Sequence, residues 1–228
     1  MQLEKTEDNF LELYGALVGD GCIVRFKRKD RSHVEAYRIF ITGNAKTDLE
    51  YVKQHLSCLF SKYGINAYIH LRKPTNSHNI NSVDLVVNNK EFALLLMNLG
   101  FPVGKKGNIT LPEWLMKLPK EKKTNVVRGL FDTDGCMSAR KSEQYRRPFM
   151  LISSKSIPLL RQLKEIIREL GLPAYVSGFN VGVNGIENTK KWFSTIGSKN
   201  PRNILRYQEW IRTGRLPMAH IKTKSPLK

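Results

Sequence analysis

The sequence predicts an α+β protein made of two similar units, each running helix, strand, strand, helix, strand, strand, helix. Three observations carry that reading. First, Leu13–Cys22 (LYGALVGDGC) repeats as Val127–Cys136 (VRGLFDTDGC), with Asp20 and Asp134 set 134 − 20 = 114 residues apart. Second, the match continues in order: Phe40–Lys46 and the stretch to Tyr63–Ile69 parallel Leu151–Lys155 and the stretch to Leu170–Val176, and Glu91–Gly100 parallels Lys190–Gly197. The offset falls to 171 − 64 = 107 at Gly64 and Gly171, as shorter loops in the second copy require. Third, in both copies the apolar spacing is helical before the Asp-Gly pair and alternating after it. The expected organisation is a first half over 1–104, a linker over 105–123, a second half over 124–198 and a basic C-terminal extension over 199–228.

The first helix has Thr6 or Asp8 as its expected N-cap, an apolar stripe of Phe10, Leu13, Tyr14 and Leu17, and Gly21 as its stop; Thr124 and Gly135 take those places in the second copy. In the strand that follows, Cys22, Val24 and Phe26 alternate with Ile23, Arg25, Lys27 and Lys29, so one face is expected to be almost wholly basic. A second strand, Val34 to Thr42, leads to a helix over Thr47 to Tyr63 whose Leu49, Val52, Leu56, Leu59 and Phe60 make an apolar stripe. Tyr68, His70 and Arg72 share one face of a third strand, a loop with Pro74 and Asn76 follows, and Val83, Leu85 and Val87 alternate as a half-buried strand. The linker carries two Leu-Pro pairs and a short helix at Trp114. From Lys199 to Lys228 eight basic residues face the single Glu209, which reads as a segment lying along a phosphate backbone or as a solvated tail.

Composition narrows the function classes. The chain has 228 residues, 38 Lys and Arg against 20 Asp and Glu, and a formal charge of +18, a field that attracts polyanions, nucleic acid foremost. Hydrophobic residues make up 41%, enough for a core, while the longest apolar run, Phe92–Met97, is far too short to span a bilayer, which excludes a membrane-spanning protein; no membrane partner is expected, an anionic membrane surface being the bland alternative for the charge. The polar N-terminus has no signal peptide, and the three cysteines form no CxxC pair; the expectation is a chain starting at Met1, not secreted, in the cytoplasm or the interior of an organelle. The five histidines include no HExxH pair, and Cys22 and Cys136 read as small packing residues.

The repeated motif suggests chemistry. An aspartate in the last turn of a helix meets the negative end of the helix dipole, and a cation held by that carboxylate and neighbouring carbonyls is a reason to tolerate it. Gly15 and Gly19, and Gly129 and Thr133, lie four residues apart on one helical face, so the two helices can pack backbone to backbone and bring Asp20 beside Asp134. Adjacent carboxylates repel unless metal ions neutralise them, and paired metal centres hydrolyse phosphodiesters.

Leu13–Gly21 and Val127–Gly135 resemble the two motifs of the single-chain LAGLIDADG homing endonucleases, and the resemblance covers nearly the whole chain. It implies two pseudo-twofold-related αββαββα units with a central helix pair and saddle-shaped antiparallel sheets lying in the DNA major groove. It also implies Asp20 and Asp134 as metal ligands, helped by the carbonyls of Gly19 and Thr133, and Lys46 and Lys155, flanked by Asn44 or Ala45 and by Ser154, in the catalytic pocket. Val18 in place of Asp132 is expected to alter helix packing and leave catalysis intact. The cofactor so implied is Mg²⁺, with Ca²⁺ binding without supporting cleavage. The partner is double-stranded DNA with a long asymmetric site, cut on both strands by a monomer in intron homing. Arg25, Lys27, Lys29 and Arg38, and Arg140, Lys141, Arg146 and Arg147, supply phosphate contacts and guanine readout, with Tyr68, His70 and Arg72 as further base readers. Lys105 and Lys106 either approach the scissile phosphates or solubilise a loop. Rival readings on the same scaffold are an intron-RNA-binding splicing cofactor and a non-catalytic DNA-binding regulator. An intein is disfavoured, because Met1 is no splicing nucleophile and the chain ends in Ser-Pro-Leu-Lys.

Overall fold

The computed structural model describes residues 4–27, 34–72 and 81–217. Lys29, His33, Pro74, Asn76, His78 and His220 lie outside the described residues.

The first unit is α1 (Asp8–Asp20), β1 (Gly21–Lys27), β2 (Glu35–Asn44), a π-helical stretch (Tyr51–Leu56) running into α2 (Ser57–Ser61), β3 (Ala67–Arg72), β4 (Ser82–Val87) and α3 (Lys90–Asn98). After α4 (Glu113–Met116) the second unit repeats it as α5 (Lys120–Asp134), β5 (Gly135–Ala139), β6 (Pro148–Ser153), α6 (Ile157–Glu169), β7 (Tyr175–Ser177), β8 (Asn180–Asn184) and α7 (Ile186–Thr195). Each unit has a four-stranded antiparallel sheet, ordered β1-β2-β4-β3 and β5-β6-β8-β7. The expected αββαββα duplication is therefore the observed one, and no described helix is long and apolar enough to cross a membrane.

Both motif helices pass into strands without a left-handed cap. Gly21 and Gly135 are extended, and each is glycine for lack of room: a methyl there would stand 2.4 Å from the Leu17 carbonyl oxygen or 2.3 Å from the Phe131 ring. The helix starts differ from expectation. Glu7 occupies the N-cap of α1 without a side-chain bond, and α5 starts at Lys120 behind Pro119, so Thr124 lies buried inside it with its hydroxyl donating to the Lys120 carbonyl. A proline ahead of the first turn, where its missing N–H costs nothing, outweighed the threonine.

One core joins both units. Ile23, Ile39, Ile41, Val83, Leu85 and Val87 cover the helix side of the first sheet, and Met137, Met150, Ile152, Val181 and Val183 that of the second. The alternation in β1 was read correctly, but its faces are the reverse of those expected. Ile23 pairs with Ile39 and Arg25 with Tyr37, so Arg25 and Lys27 share the helix side, at its rim, and Arg25 meets Glu35 at 3.8 Å. The open side carries Cys22, Val24, Phe26, Arg38 and Phe40 instead. Burial decides the face: Ile23 is fully enclosed, while Val24 is 38% exposed.

The C-terminal extension contains α8 (Pro201–Thr213), capped by Asn200 and ended by Gly214 in the left-handed conformation. It is no solvated tail over 201–217. Trp210 is buried and donates through Nε1 to the Arg146 carbonyl at 3.2 Å, and the Leu216 amide donates to the Tyr145 carbonyl at 2.9 Å, fixing the β5–β6 connection.

Candidate active site

The site is set by how closely α1 and α5 approach. A methyl on Gly15 would stand 2.1 Å from the Val126 carbonyl oxygen, and one on Gly129 would stand 2.1 Å from that of Glu12, so backbone lies on backbone. A methyl on Gly19 would reach Thr133 Oγ1 at 2.1 Å and Asp134 Oδ2 at 3.4 Å. Side chains of ordinary size would hold helices 8–10 Å apart; glycine removes that spacer and forces the two C-terminal ends together. Higher up, Glu12 is buried between the helices, taking hydrogen bonds from Arg128 Nη1 at 2.9 Å and from His55. Burial raises its carboxyl, but the hydrogen bonds and charges of His55 and Arg128 outweigh that and hold it below the usual carboxylate range.

Asp20 and Asp134 end side by side. Burial pushes the Asp20 carboxyl up to about 7, with the Asp134 charge adding to the shift and Lys106 opposing it. Asp134 is likewise raised by burial, against the attraction of Lys106. Two cavities flank the pair, and each combines the carboxylate of one helix with a residue preceding the carboxylate of the other. One, of about 600 Å³, is lined by Asp134, Gly19, Val18, Lys106, Lys155, Ser154 and Phe179 among others. The other, of about 10 Å³, is lined by Asp20, Thr133, Thr42, Asp48, Tyr51 and Asp132 among others.

Among the described residues no three His, Cys, Asp or Glu side chains form a self-sufficient metal cage. The donor set still fits a hard cation. Mg²⁺ prefers one or two carboxylates and completes its shell with water and substrate phosphate; the larger cavity offers Asp134 beside Gly19, and the smaller offers Asp20 beside Thr133, with Asp48 and Asp132 also in its lining. The negative potential at this end of α1 shows in what it already attracts: the Lys106 ammonium donates to the carbonyls of Val18, at 2.8 Å, and of Gly19. Burial pulls the Lys106 ammonium down while Asp134 and Asp20 pull it up, with a net lowering.

The structure sorts the residues singled out in the sequence. Asp134, Gly19 and Lys155 meet in one cavity, and Asp20 and Thr133 in the other. Lys46 does not join them: it is exposed on the turn after β2, its amide donating to Asn44 Oδ1 at 2.8 Å, and it lines neither cavity. Arg38, Tyr68, His70 and Arg72 lie on the open face of the first sheet. There Arg38 sits over the rings of Phe26 and Phe40 and donates to Asn88, while Arg72 is held by the buried Asp84. Arg140, Lys141, Arg146 and Arg147 are on no strand face; they occupy the β5–β6 connection, because β5 ends at Ala139 and β6 starts at Pro148. Asp132 is no helix-packing residue either. It is buried, accepts from Ser198 Oγ and, at 2.7 Å, from the Lys199 amide, and its carboxyl is raised to about 6 by burial against those hydrogen bonds.

Sequence reasoning missed Asp48, Asn200 and Arg202 and left Lys106 undecided. Asp48 Oδ1 accepts from Asn200 Nδ2 at 3.0 Å and faces Arg202 Nη1 at 3.2 Å. The Asn-Pro start of α8 was a readable signal. The long-range pairing of Asp48 with α8 left none.

Comparison with known proteins agrees with this fold. Residues 121–200 match the family model described as LAGLIDADG-like domain. The chain is 30% identical over 127 residues to the tRNA-splicing ligase RtcB of Pyrococcus furiosus, covering 54% of this chain and 13% of that protein. It is 26% identical over 213 residues to the replication factor C small subunit of Methanocaldococcus jannaschii, covering 87% of this chain and 10% of that protein. The chain thus spans less than a fifth of these curated relatives. Among solved structures, that of I-DmoI in complex with DNA and Ca superposes with a TM-score of 0.61 at 17% identity, over 90% of this chain and 100% of that one. With its repeated motif and duplicated sheets, this chain carries a LAGLIDADG-like domain over residues 121–200 and has the fold of the single-chain LAGLIDADG homing endonucleases.

Proposed function

We propose that this protein is a sequence-specific DNA endonuclease that makes a double-strand break in a long asymmetric duplex by metal-dependent phosphodiester hydrolysis, in intron homing. The observation that carries the proposal is the pairing of Asp20 and Asp134 at the shared end of α1 and α5, each beside the residue preceding the other. Asp134 with the Gly19 carbonyl, and Asp20 with the Thr133 carbonyl, would hold Mg²⁺, and Ca²⁺ would bind without supporting cleavage. When bound, the cation supplies charge neutralisation at the phosphate and a more acidic water. The protein's own part is positional and electrostatic. Lys155 and Lys106 line the larger cavity and set positive charge where a phosphate gains negative charge. Gly15 and Gly129 hold the carboxylates together. One chain carries both carboxylates, so the active species is a monomer acting on duplex DNA in the cytoplasm or an organelle interior.

Two further observations support the reading. The +18 charge suits a polyanionic substrate. Stretches similar to this chain also lie within a tRNA-splicing ligase and a replication factor C small subunit, as an element that copies itself between genes would leave them.

The test is Mg²⁺-dependent cleavage of a pooled long-duplex library by wild type, Asp20→Asn and Asp134→Asn, with sequencing of the ends. Discrete double-strand breaks by wild type, with nicking or no cutting by each variant, are expected. Tight duplex binding without cleavage, unchanged by the substitutions, would leave a regulator, and failure to bind duplex at all would leave an RNA cofactor.

A further inference from the structure

The two cavities beside the carboxylate pair are unequal, and what makes them so comes from outside the motif. On the nuclease reading above, we propose that Arg202 of α8 is a positioning residue for the Asp20 centre alone, so that the strand served by Asp134 is cut first and Arg202 governs the second cut.

The asymmetry starts in the repeat. Aligning Lys46 with Lys155 sets Asp48 against Ile157, so only the first half brings an extra carboxylate to its turn. That carboxylate is tied down on several sides. Asp48 Oδ2 accepts from the Asn44 amide at 2.9 Å, and Oδ1 accepts from Asn200 Nδ2 at 3.0 Å and faces Arg202 Nη1 at 3.2 Å. Both partners also hold the end of α5: Asn200 Nδ2 donates to the Asp132 carbonyl at 2.9 Å, and Arg202 Nη2 to the Gly135 carbonyl at 3.3 Å. The start of α8 is thus a brace from the first half's Asp48 to the second half's motif helix, across the cavity that holds Asp20.

The consequence is a difference in readiness. The Asp134 cavity, about 600 Å³, has room for a phosphodiester and is lined by two lysines. The Asp20 cavity, about 10 Å³, has room for one water, has no lysine in its lining, and adds Asp48 and Asp132 to its own carboxylate. A phosphate brought there meets three carboxylates, and Arg202 is the cation paired with one of them. Arg202 Nε is buried and has no hydrogen-bond partner among the described residues, so the guanidinium still has a donor to give. Without Arg202, Asp48 keeps the hydrogen bonds from Asn44 and Asn200 but loses its counter-charge beside Asp20, and the second centre no longer tolerates a phosphate.

The experiment uses the duplex recovered from the library selection, with a different dye on each strand. The strand still nicked by Asp20→Asn identifies the one served by Asp134. Wild type is expected to cut that strand first. Arg202→Ala should leave its rate unchanged and slow the other strand about tenfold or more, so that nicked duplex accumulates, with partial recovery in Arg202→Lys. Duplex affinity in Ca²⁺, read by fluorescence anisotropy, should stay near wild type, which separates positioning from lost binding. Equal strand rates in wild type, or equal slowing of both strands by Arg202→Ala, would overturn this inference and leave the nuclease reading standing. Absence of any wild-type cleavage would overturn both.

Discussion

Gly15→Ala tests the central claim of the fold, that α1 and α5 touch through backbone. The added methyl would stand 2.1 Å from the Val126 carbonyl oxygen, 2.9 Å from its carbon and 3.0 Å from the Val126 Cα. Ordinary contact begins at 3.4 Å, so the helices must part locally by about 3.4 − 2.1 = 1.3 Å. A gap of that size forfeits a quarter to a half or more of the dispersion between the faces, and overpacking against backbone costs about 3 kcal/mol. Alanine returns about 1 kcal/mol of helix propensity, leaving a net loss of about 2 kcal/mol. For a chain of this length that lowers the melting temperature by about 4–8 °C, measured by calorimetry in metal-free buffer. Cleavage should fall further than stability, because the same separation moves Asp20 away from Asp134. A melting temperature that rises, as Gly→Ala gives in a helix with open space at that position, would refute the packing and the site geometry built on it.

Other perturbations report on other parts. The Asp20 carboxyl is raised by burial and by Asp134, so it contributes most when protonated, below its unfolded pKa, and that contribution is lost as pH rises through about 7; in EDTA the melting temperature should fall between pH 5 and 8 and Ca²⁺ should restore it, whereas Asp20→Asn should flatten both responses, and a pH-independent wild type would contradict this. Glu12 is held low by His55 and Arg128 despite burial, so its contribution is present above the unfolded pKa and lost as pH falls through the folded one; Glu12→Gln should cost about 3–5 kcal/mol at neutral pH by denaturant titration, shrinking in acid. Lys106→Met removes one of the two positive charges lining the Asp134 cavity and should slow the strand served by Asp134 about a hundredfold in strand-resolved assays, with less effect on the other. Trp210→Ala should cost about 3 kcal/mol and expose the β5–β6 connection to protease, since Trp210 pins the Arg146 carbonyl.

How much of this the sequence disclosed depended on whether the determining interaction was local. The motif helices were legible because their glycines, four residues apart, state the packing distance in the residue type itself. The faces of β1 were not, because both parities are partly apolar: Ile23 stands on one, and Cys22, Val24 and Phe26 on the other. This strand carries apolar residues on both sides, and alternation alone does not say which is covered. Helix α8 was hidden behind its charge. Counting eight basic residues masked the Asn200-Pro201 start, the stripe of Ile204, Tyr207 and Trp210, and the Gly214 stop. Asp48 with Arg202, and Asp132 with Lys199, join residues far apart in the chain through side chains with no patterned spacing, so only the folded structure shows them.

The strand faces also bear on how the two halves would read a duplex. Arg38 and Arg72 lie on the open face of the first sheet, each fixed by a neighbour, Asn88 or Asp84. Among the described residues the open face of the second sheet has no lysine or arginine: it presents Ser138, Phe149, Leu151, Ser153, Tyr175, Ser177, Asn180 and Asn184. Gly182 lets Tyr175 and Leu151 close over it, since a methyl there would meet the Tyr175 ring at 2.8 Å and Leu151 at 2.9 Å. The basic residues of this half are set at the rim, in the β5–β6 connection that α8 fixes. Under the proposed function, the second half therefore contacts phosphate from its edge and reads bases with amides, hydroxyls and apolar groups, the pairings suited to adenine and to the thymine methyl. The first half has arginine forks suited to guanine. Neutralising Arg146 and Arg147 should then flatten the salt dependence of binding while leaving sequence preference unchanged, whereas Arg38→Ala should relax preference at guanine positions in one half of the site alone. The opposite pattern would place the duplex elsewhere on the protein.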